Sequence, residues 1–158
     1  MIYLLISIGV IVLDQVTKMM IRQMPLDGEY RIIGEFLRIV HVENSGAAFG
    51  MFEGNTRFLL ILPAIIIVAA VFYILRSSGE GLTGRMEKVS LTLIVAGGIG
   101  NMIDRFLFGH VTDMISFSIF PPVFNVADIA VTCGCAILIL SLLIDNRFGG
   151  SQDEDKKE

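Results

Sequence analysis

Asp14, Asp104, Asp113 and Asp128 are the residues of this sequence best suited to chemistry, because their competitors are few. The histidines are His41 and His110, and the cysteines, Cys133 and Cys135, lie in the middle of an apolar run. Serine triads and thiol chemistry are therefore weak readings. No HExxH or clustered Cys/His spacing suggests zinc, and P-loop and GxGxxG patterns are missing. Two carboxylates close enough to repel each other share one proton, so one can take a proton from water while the other gives one to a carbonyl oxygen. That is the chemistry of an aspartic protease. The same acids also suit a small proton- or cation-coupled transporter, and residue types alone leave both readings open.

These acids must be positioned by elements that belong in lipid. Of 158 residues, 54% are hydrophobic and 18% charged, and the mean hydropathy is +0.73. That is a poor composition for a water-soluble globule. Four stretches approach the roughly 20 residues a helix needs to cross a bilayer, at about 1.5 Å per residue. The expected spans are about residues 1–21, 57–76, 88–105 and 126–145 of a single membrane domain over 1–148, with a disordered cytoplasmic tail at 149–158. The first stretch lacks a basic leader and a small-residue cleavage site, so it reads as a retained span. A β-branched run around Arg31–Val42 predicts strand in the first connection. By composition, the second and third connections read as ordinary short links. The fold class is thus an all-α membrane protein of four transmembrane helices with a small β-containing extracytoplasmic segment between helices 1 and 2. The net charge is −4 with no lysine block, which argues against nucleic acid as a partner.

Successive spans alternate in direction, so the end of span one, the end of span three and the start of span four share a membrane face. Asp14 and Lys18, Asn101, Asp104 and Arg105, and Asn125 and Asp128 converge there, beside the connections that carry Asn44 and Asp113. Charges in or near hydrocarbon cost about 2.5 to 3.5 kcal/mol each and are functional by default when they face a bundle interior. Structural roles compete for several of them. Asp14 and Lys18 are spaced i, i+4 in the favourable order and can neutralise each other. Asn101 and Arg105 repeat that spacing, and Arg105 can snorkel beside Asp104. Asp128 can serve as a first-turn acid favoured by the helix dipole. Gly97, Gly98 and Gly100 read as helix-packing positions, and Cys133 and Cys135 as small packing residues that point to different faces.

Five boxes occur in order: DQVTK at Asp14–Lys18, NSGAAFG at Asn44–Gly50, GGIGNMIDR at Gly97–Arg105, VTDM at Val111–Met114 and FNVAD at Phe124–Asp128. Together they resemble the bacterial lipoprotein signal peptidases, or signal peptidase II. The resemblance implies an intramembrane aspartic endopeptidase. Such an enzyme removes the signal peptide from diacylglyceryl-modified prolipoproteins by cleaving just before the lipidated cysteine. It implies Asp113 and Asp128 as the catalytic pair, with Asn44, Gly46, Asn101, Arg105 and Asn125 supporting the pair or the substrate. Asp14, Lys18 and Asp104 are implied as structural polar residues. It implies no cofactor and no metal, with lipid-modified prolipoproteins and membrane lipid as partners of an enzyme acting as a monomer. The implied place is the bacterial cytoplasmic membrane, active site toward the outer face and both termini cytoplasmic. Met114 stands where an aromatic is expected, and the stretch between Asp113 and Asp128 is short for the family. Basic residues outside the spans do not orient the chain, since Arg76, Arg85, Lys88, Arg147, Lys156 and Lys157 on one side nearly balance Arg22, Arg31, Arg38, Arg57 and Arg105 on the other.

Overall fold

The computed structural model describes residues 1–46 and 56–149, without the side chains of 56, 57 and 146–149. Ala47–Gly50 of the second box and the tail from residue 150 on lie outside the described residues. Four helices are long and apolar enough to cross a membrane: α1 (Ile2–Ile21), α2 (Thr56–Arg76), α3 (Gly81–Phe108) and α4 (Val126–Gly149). Strands β1 (Glu29–Ile33) and β2 (Leu37–Asn44) fill the first connection, and β3 (Val111–Phe117) and β4 (Phe120–Phe124) fill the third.

Burial is inverted relative to a soluble protein. The largest fully buried side chains are Lys18, Asn125, Thr92, Thr112, Asp14, Asp104, Ser90 and Ser141, while Leu4, Leu5, Ile65, Val68, Phe72, Ile139 and Leu143 are exposed. Water as the surrounding solvent would reverse this preference, whereas hydrocarbon rewards apolar exterior and internally satisfied polar groups. The lone buried hydroxyls follow the same logic: Ser90, Thr92 and Ser141 donate to the carbonyls of Glu87, Lys88 and Leu138 at 2.7, 2.6 and 2.7 Å.

Small residues let α3 and α4 approach closely. A Cβ on Gly97 would collide with the Ala127 carbonyl, and one on Gly134 would lie 2.7 Å from the Ser90 carbonyl. The buried face of α4 runs through Ala127, Ala130, Gly134 and Ser141, at helical spacing. Cys133 and Cys135 flank Gly134 on either side and are both exposed, which corrects their reading as packing residues. One residue either side of the small-residue stripe is about 100° round the helix, which turns their thiols to the lipid-facing surface.

The four strands form one antiparallel sheet in the order β1-β2-β3-β4. The strand expected between helices 1 and 2 is present, but the third connection is not a plain link: it supplies half the sheet. Pro121 and Pro122 disguise β4, yet both fall in the register break between the pairs Ser116–Val123 and Phe117–Phe120 on this edge strand, where no ladder N–H is required. β3 is buried along nearly its whole length, so it lacks the alternation that marks a half-buried strand. The second connection differs too. Only Ser77–Glu80 separates α2 from α3, and α3 runs 28 residues, about 42 Å. It stops at Gly109, whose φ of +81° supplies the left-handed cap and whose N–H returns to the Arg105 carbonyl at 3.1 Å. From there β3 runs antiparallel to β2, pairing Asp113 with Val42 and Val111 with Asn44.

Candidate active site

α4 begins with a reciprocal cap. The Asp128 N–H donates to Asn125 Oδ1 at 2.9 Å, and the Asn125 N–H donates to Asp128 Oδ2 at 3.2 Å. This is a capping box with aspartate at its third position, and it anchors the Asp128 carboxylate at the first turn. The Asn125 amide then reaches Asp113, donating to Oδ1 at 2.6 Å. One residue thereby ties the central strand's acid to the helix's acid.

All four carboxylate oxygens of Asp113 and Asp128 receive a donor. Asn44 Nδ2 donates to Asp113 Oδ2 at 3.0 Å, and Asn101 Nδ2 donates to Asp128 Oδ1 at 2.8 Å. The Asn44 amide is itself oriented by Gly46, whose N–H donates to Asn44 Oδ1 at 3.0 Å. Arg105 Nη2 donates to the Gly46 carbonyl at 2.9 Å. Burial pushes the Asp113 carboxyl up to about 6; the Asn44 and Asn125 donors and the Lys18 ammonium pull the other way, and the Asp128 carboxylate adds to the rise. Met114, where an aromatic was expected, is 4% exposed and packs on the buried side of β3.

A cavity of about 800 Å³ opens at this point. Asn44, Gly46, Asn101, Arg105, Asp113, Asn125 and Asp128 all line it, opposite an apolar wall of Leu62, Pro63, Ile66 and Ile67 from α2. A pocket with one polar floor and one apolar wall suits an amphiphilic chain better than a free ion. The boxes therefore meet in space, as helix parity required.

Asp14, Lys18 and Asp104 lie behind the cavity and are fully buried. Lys18 Nζ is 2.9 Å from Asp14 Oδ2 and 3.6 Å from Asp104 Oδ2, and it donates to Asn101 Oδ1 at 2.9 Å. Asp14 Oδ1 accepts the Ala127 N–H at 2.9 Å, satisfying a first-turn donor of α4 that has no partner within its helix. Two local readings change. Arg105 does not accompany Asp104, because Arg22 takes that place with Nη2 2.7 Å from Asp104 Oδ1. Asn101 likewise turns away from Arg105, toward Lys18, Asn125 and Asp128.

Gln15, Arg22 and Thr112 are part of this polar core and were not singled out from sequence. Gln15 Nε2 donates to Asp14, the Gly100 carbonyl and Asp104 at 3.1, 3.1 and 3.2 Å, and Arg22 Nε donates to Thr112 Oγ1 at 3.0 Å. The signal for Arg22 was present: Asp14, Lys18 and Arg22 continue one i, i+4 stripe. Gly100 makes room for that stripe, since a Cβ there would lie 2.6 Å from Asp14 Oδ2.

The chain is similar to known proteins over most of its length. Residues 6–144 match the family model described as signal peptidase (SPase) II. A lipoprotein signal peptidase of Staphylococcus aureus is 36% identical over 158 residues, which is 98% of this chain and 93% of the relative. Another, from Staphylococcus aureus strain JH9, is 37% identical over 146 residues, covering 90% and 88%. A bacterial membrane enzyme solved by the in meso method at 2.3 Å resolution superposes with a TM-score of 0.84 at 36% identity, over 91% of this chain and 88% of the other. A second such enzyme, at 1.9 Å resolution, gives 0.80 at 36% identity over 90% and 93%.

Proposed function

The chain belongs to the signal peptidase II family, a multi-pass bacterial membrane peptidase, and from that premise we propose that it removes the signal peptide from diacylglyceryl-modified prolipoproteins by aspartic catalysis at Asp113 and Asp128. The transporter reading, which the acids alone left open, falls away with the family. The observation that carries the aspartic reading is the arrangement of the two acids, tied through Asn125 on the floor of one cavity with every carboxylate oxygen held by a donor.

In this mechanism the pair holds one proton, and burial of Asp113 favours keeping it there. Asp128 takes a proton from a water, whose oxygen attacks the carbonyl carbon before the lipidated cysteine, while Asp113 gives its proton to the carbonyl oxygen. The resulting diol collapses as the amide nitrogen takes the proton from Asp128, the C–N bond breaks and one diol hydroxyl returns its proton to Asp113. That leaves the new carboxyl on the signal peptide, the new amine on the cysteine and the pair ready for another turn. Asn44, Asn101 and Asn125 fix the acids in place, so little reorganisation accompanies the proton transfers. Arg105 lines the cavity, with its Nη2 held on the Gly46 carbonyl. The apolar wall on α2 accommodates the lipid-soluble parts of the substrate. The enzyme acts as a monomer, and the active site faces the outer side of the cytoplasmic membrane.

Purified protein should cleave a lipid-modified precursor peptide and leave its unmodified counterpart intact. Asp113→Asn and Asp128→Asn should each bind substrate and lose about 10²- to 10⁴-fold in kcat, the range for a general acid or base. The double variant should be little worse than the singles, since groups acting as a unit do not add. Substantial cleavage by either folded single variant would falsify the aspartic assignment.

A further inference from the structure

Asn101 holds Asp128 with its NH2 group, so its usefulness depends on which way its amide faces. Rotated by half a turn, it would present Oδ1 to a carboxylate, two acceptors facing each other. Two obligate donors prevent this. The Asp128 main-chain N–H occupies Asn125 Oδ1 at 2.9 Å, which turns the Asn125 NH2 toward Asp113 and toward Asn101 Oδ1, at 2.6 and 3.1 Å. On the opposite side the Lys18 ammonium, which has donors and no acceptor, meets the same Asn101 Oδ1 at 2.9 Å. The Asn101 NH2 is then left to Asp128 at 2.8 Å.

We propose that Lys18 is a positioning residue for the aspartate pair, fixing the Asn101 amide so that its NH2 is held on Asp128. This rests on the aspartic reading and extends it to a residue that does not line the cavity. Lys18 is fully buried, and its ammonium faces Asp14 on its own helix, Asp104 and Asn101 on α3, with Arg22 sharing Asp104. Asp128 lies beyond Asn101, and Arg105 reaches away to Gly46. A purely architectural lysine would need only the two carboxylates. Its contact with Asn101 links the ion pair to the reacting acids.

Steady-state kinetics on the lipid-modified peptide test this, in an Asp14→Asn background so that no unpaired Asp14 charge accompanies the loss of Lys18. Lys18→Met should lower kcat about 10- to 100-fold, as loss of an outer partner that orients a reacting group does, with KM changed less than about threefold. In an Asn101→Ala background Lys18→Met should lower kcat no further, because Lys18 acts through that amide. Losses that multiply, a rise in KM at unchanged kcat, or a chain that cannot fold without the ammonium in this background would each overturn the proposal. Failure of the unmutated enzyme to cleave the peptide would instead overturn the reading of its function.

Discussion

Removing the Asp113 carboxylate should change how stability depends on pH by an amount the structure sets. Its pKa is raised from 3.8 to about 6, and its side chain lies on β3, outside the spans, so the ordinary value serves for the unfolded chain. Between those two values the folded protein holds a proton that the unfolded chain has released, so stability falls as pH rises through this window. At about 1.36 kcal/mol per pKa unit, a rise of about 2.2 units amounts to about 3 kcal/mol. That stability is fully present below pH 3.8 and lost above about 6. Asp113→Asn carries no charge at any pH and removes the slope. It also adds a constant penalty: Asn44 and Asn125 both aim NH2 groups at this position, so the new amide must oppose one donor with another, at about 1 to 3 kcal/mol. The variant should therefore be the less stable protein at pH 4 and match or exceed the unmutated one at pH 7. Denaturant unfolding in micelles, followed by circular dichroism at half-unit pH steps, measures the difference directly. A difference profile flat to within about 1 kcal/mol across pH 4–7 would refute the buried, proton-holding Asp113.

Lys18→Met should cost about 3 to 5 kcal/mol in detergent unfolding by leaving the buried Asp14 charge uncompensated, Asp14→Asn less because Lys18 keeps Asp104 at 3.6 Å, and the double variant should be more stable than Lys18→Met alone; a double variant less stable than both would show that something other than charge pairing governs these two positions. Gly97→Ala should cost about 1 to 3 kcal/mol, because the added methyl meets the Ala127 carbonyl, whereas Gly9→Ala, with open space around it, should be nearly neutral; equal melting temperatures for the two would contradict the close α3–α4 contact. With Cys133 and Cys135 replaced by alanine, Ser118→Cys should react with an impermeant thiol reagent in intact cells and Ser78→Cys should not. The opposite pattern would invert the proposed orientation.

The spans were legible because lipid demands long charge-free runs, and Phe58–Leu75 is one. The clustering of the polar boxes was legible because helix parity allows few arrangements. Harder to read was anything set by neighbours distant in sequence. β3 becomes a central strand only when β2 and β4 flank it, and its even burial then hides the period-two pattern. α3 opens on Gly81, at a φ of +70°, and carries Gly84 in its first turn, so its start reads as a link. Cys133 and Cys135 resemble small packing residues until Gly134 claims the contact face. Arg22 shows the sharpest difference. It sits at the C-cap of α1, where a basic residue is commonplace, and only the fold brings Asp104 and Thr112 to it from more than 80 positions away.

Once that ion network is included, the protonation of the aspartate pair follows from the whole cluster. Four carboxylates, Asp14, Asp104, Asp113 and Asp128, share this interior with the cations Lys18, Arg22 and Arg105. Fully ionised, the group carries one negative charge more than it has cations to match. Burial makes an unmatched charge expensive, by several kcal/mol even after relaxation. Asp14 is tied to Lys18 and the Ala127 N–H, and Asp104 to Arg22, Lys18 and the Thr112 N–H at 3.0 Å. Asp113 and Asp128 are held mainly by neutral amides, so the proton that neutralises the cluster settles on them. A second proton would leave the cluster positive, and none would leave it negative. The supporting ion pairs thus do more than brace α1 against α3: by saturating two of the four acids, they leave the other two to share a single proton, the state from which the proposed aspartic mechanism starts.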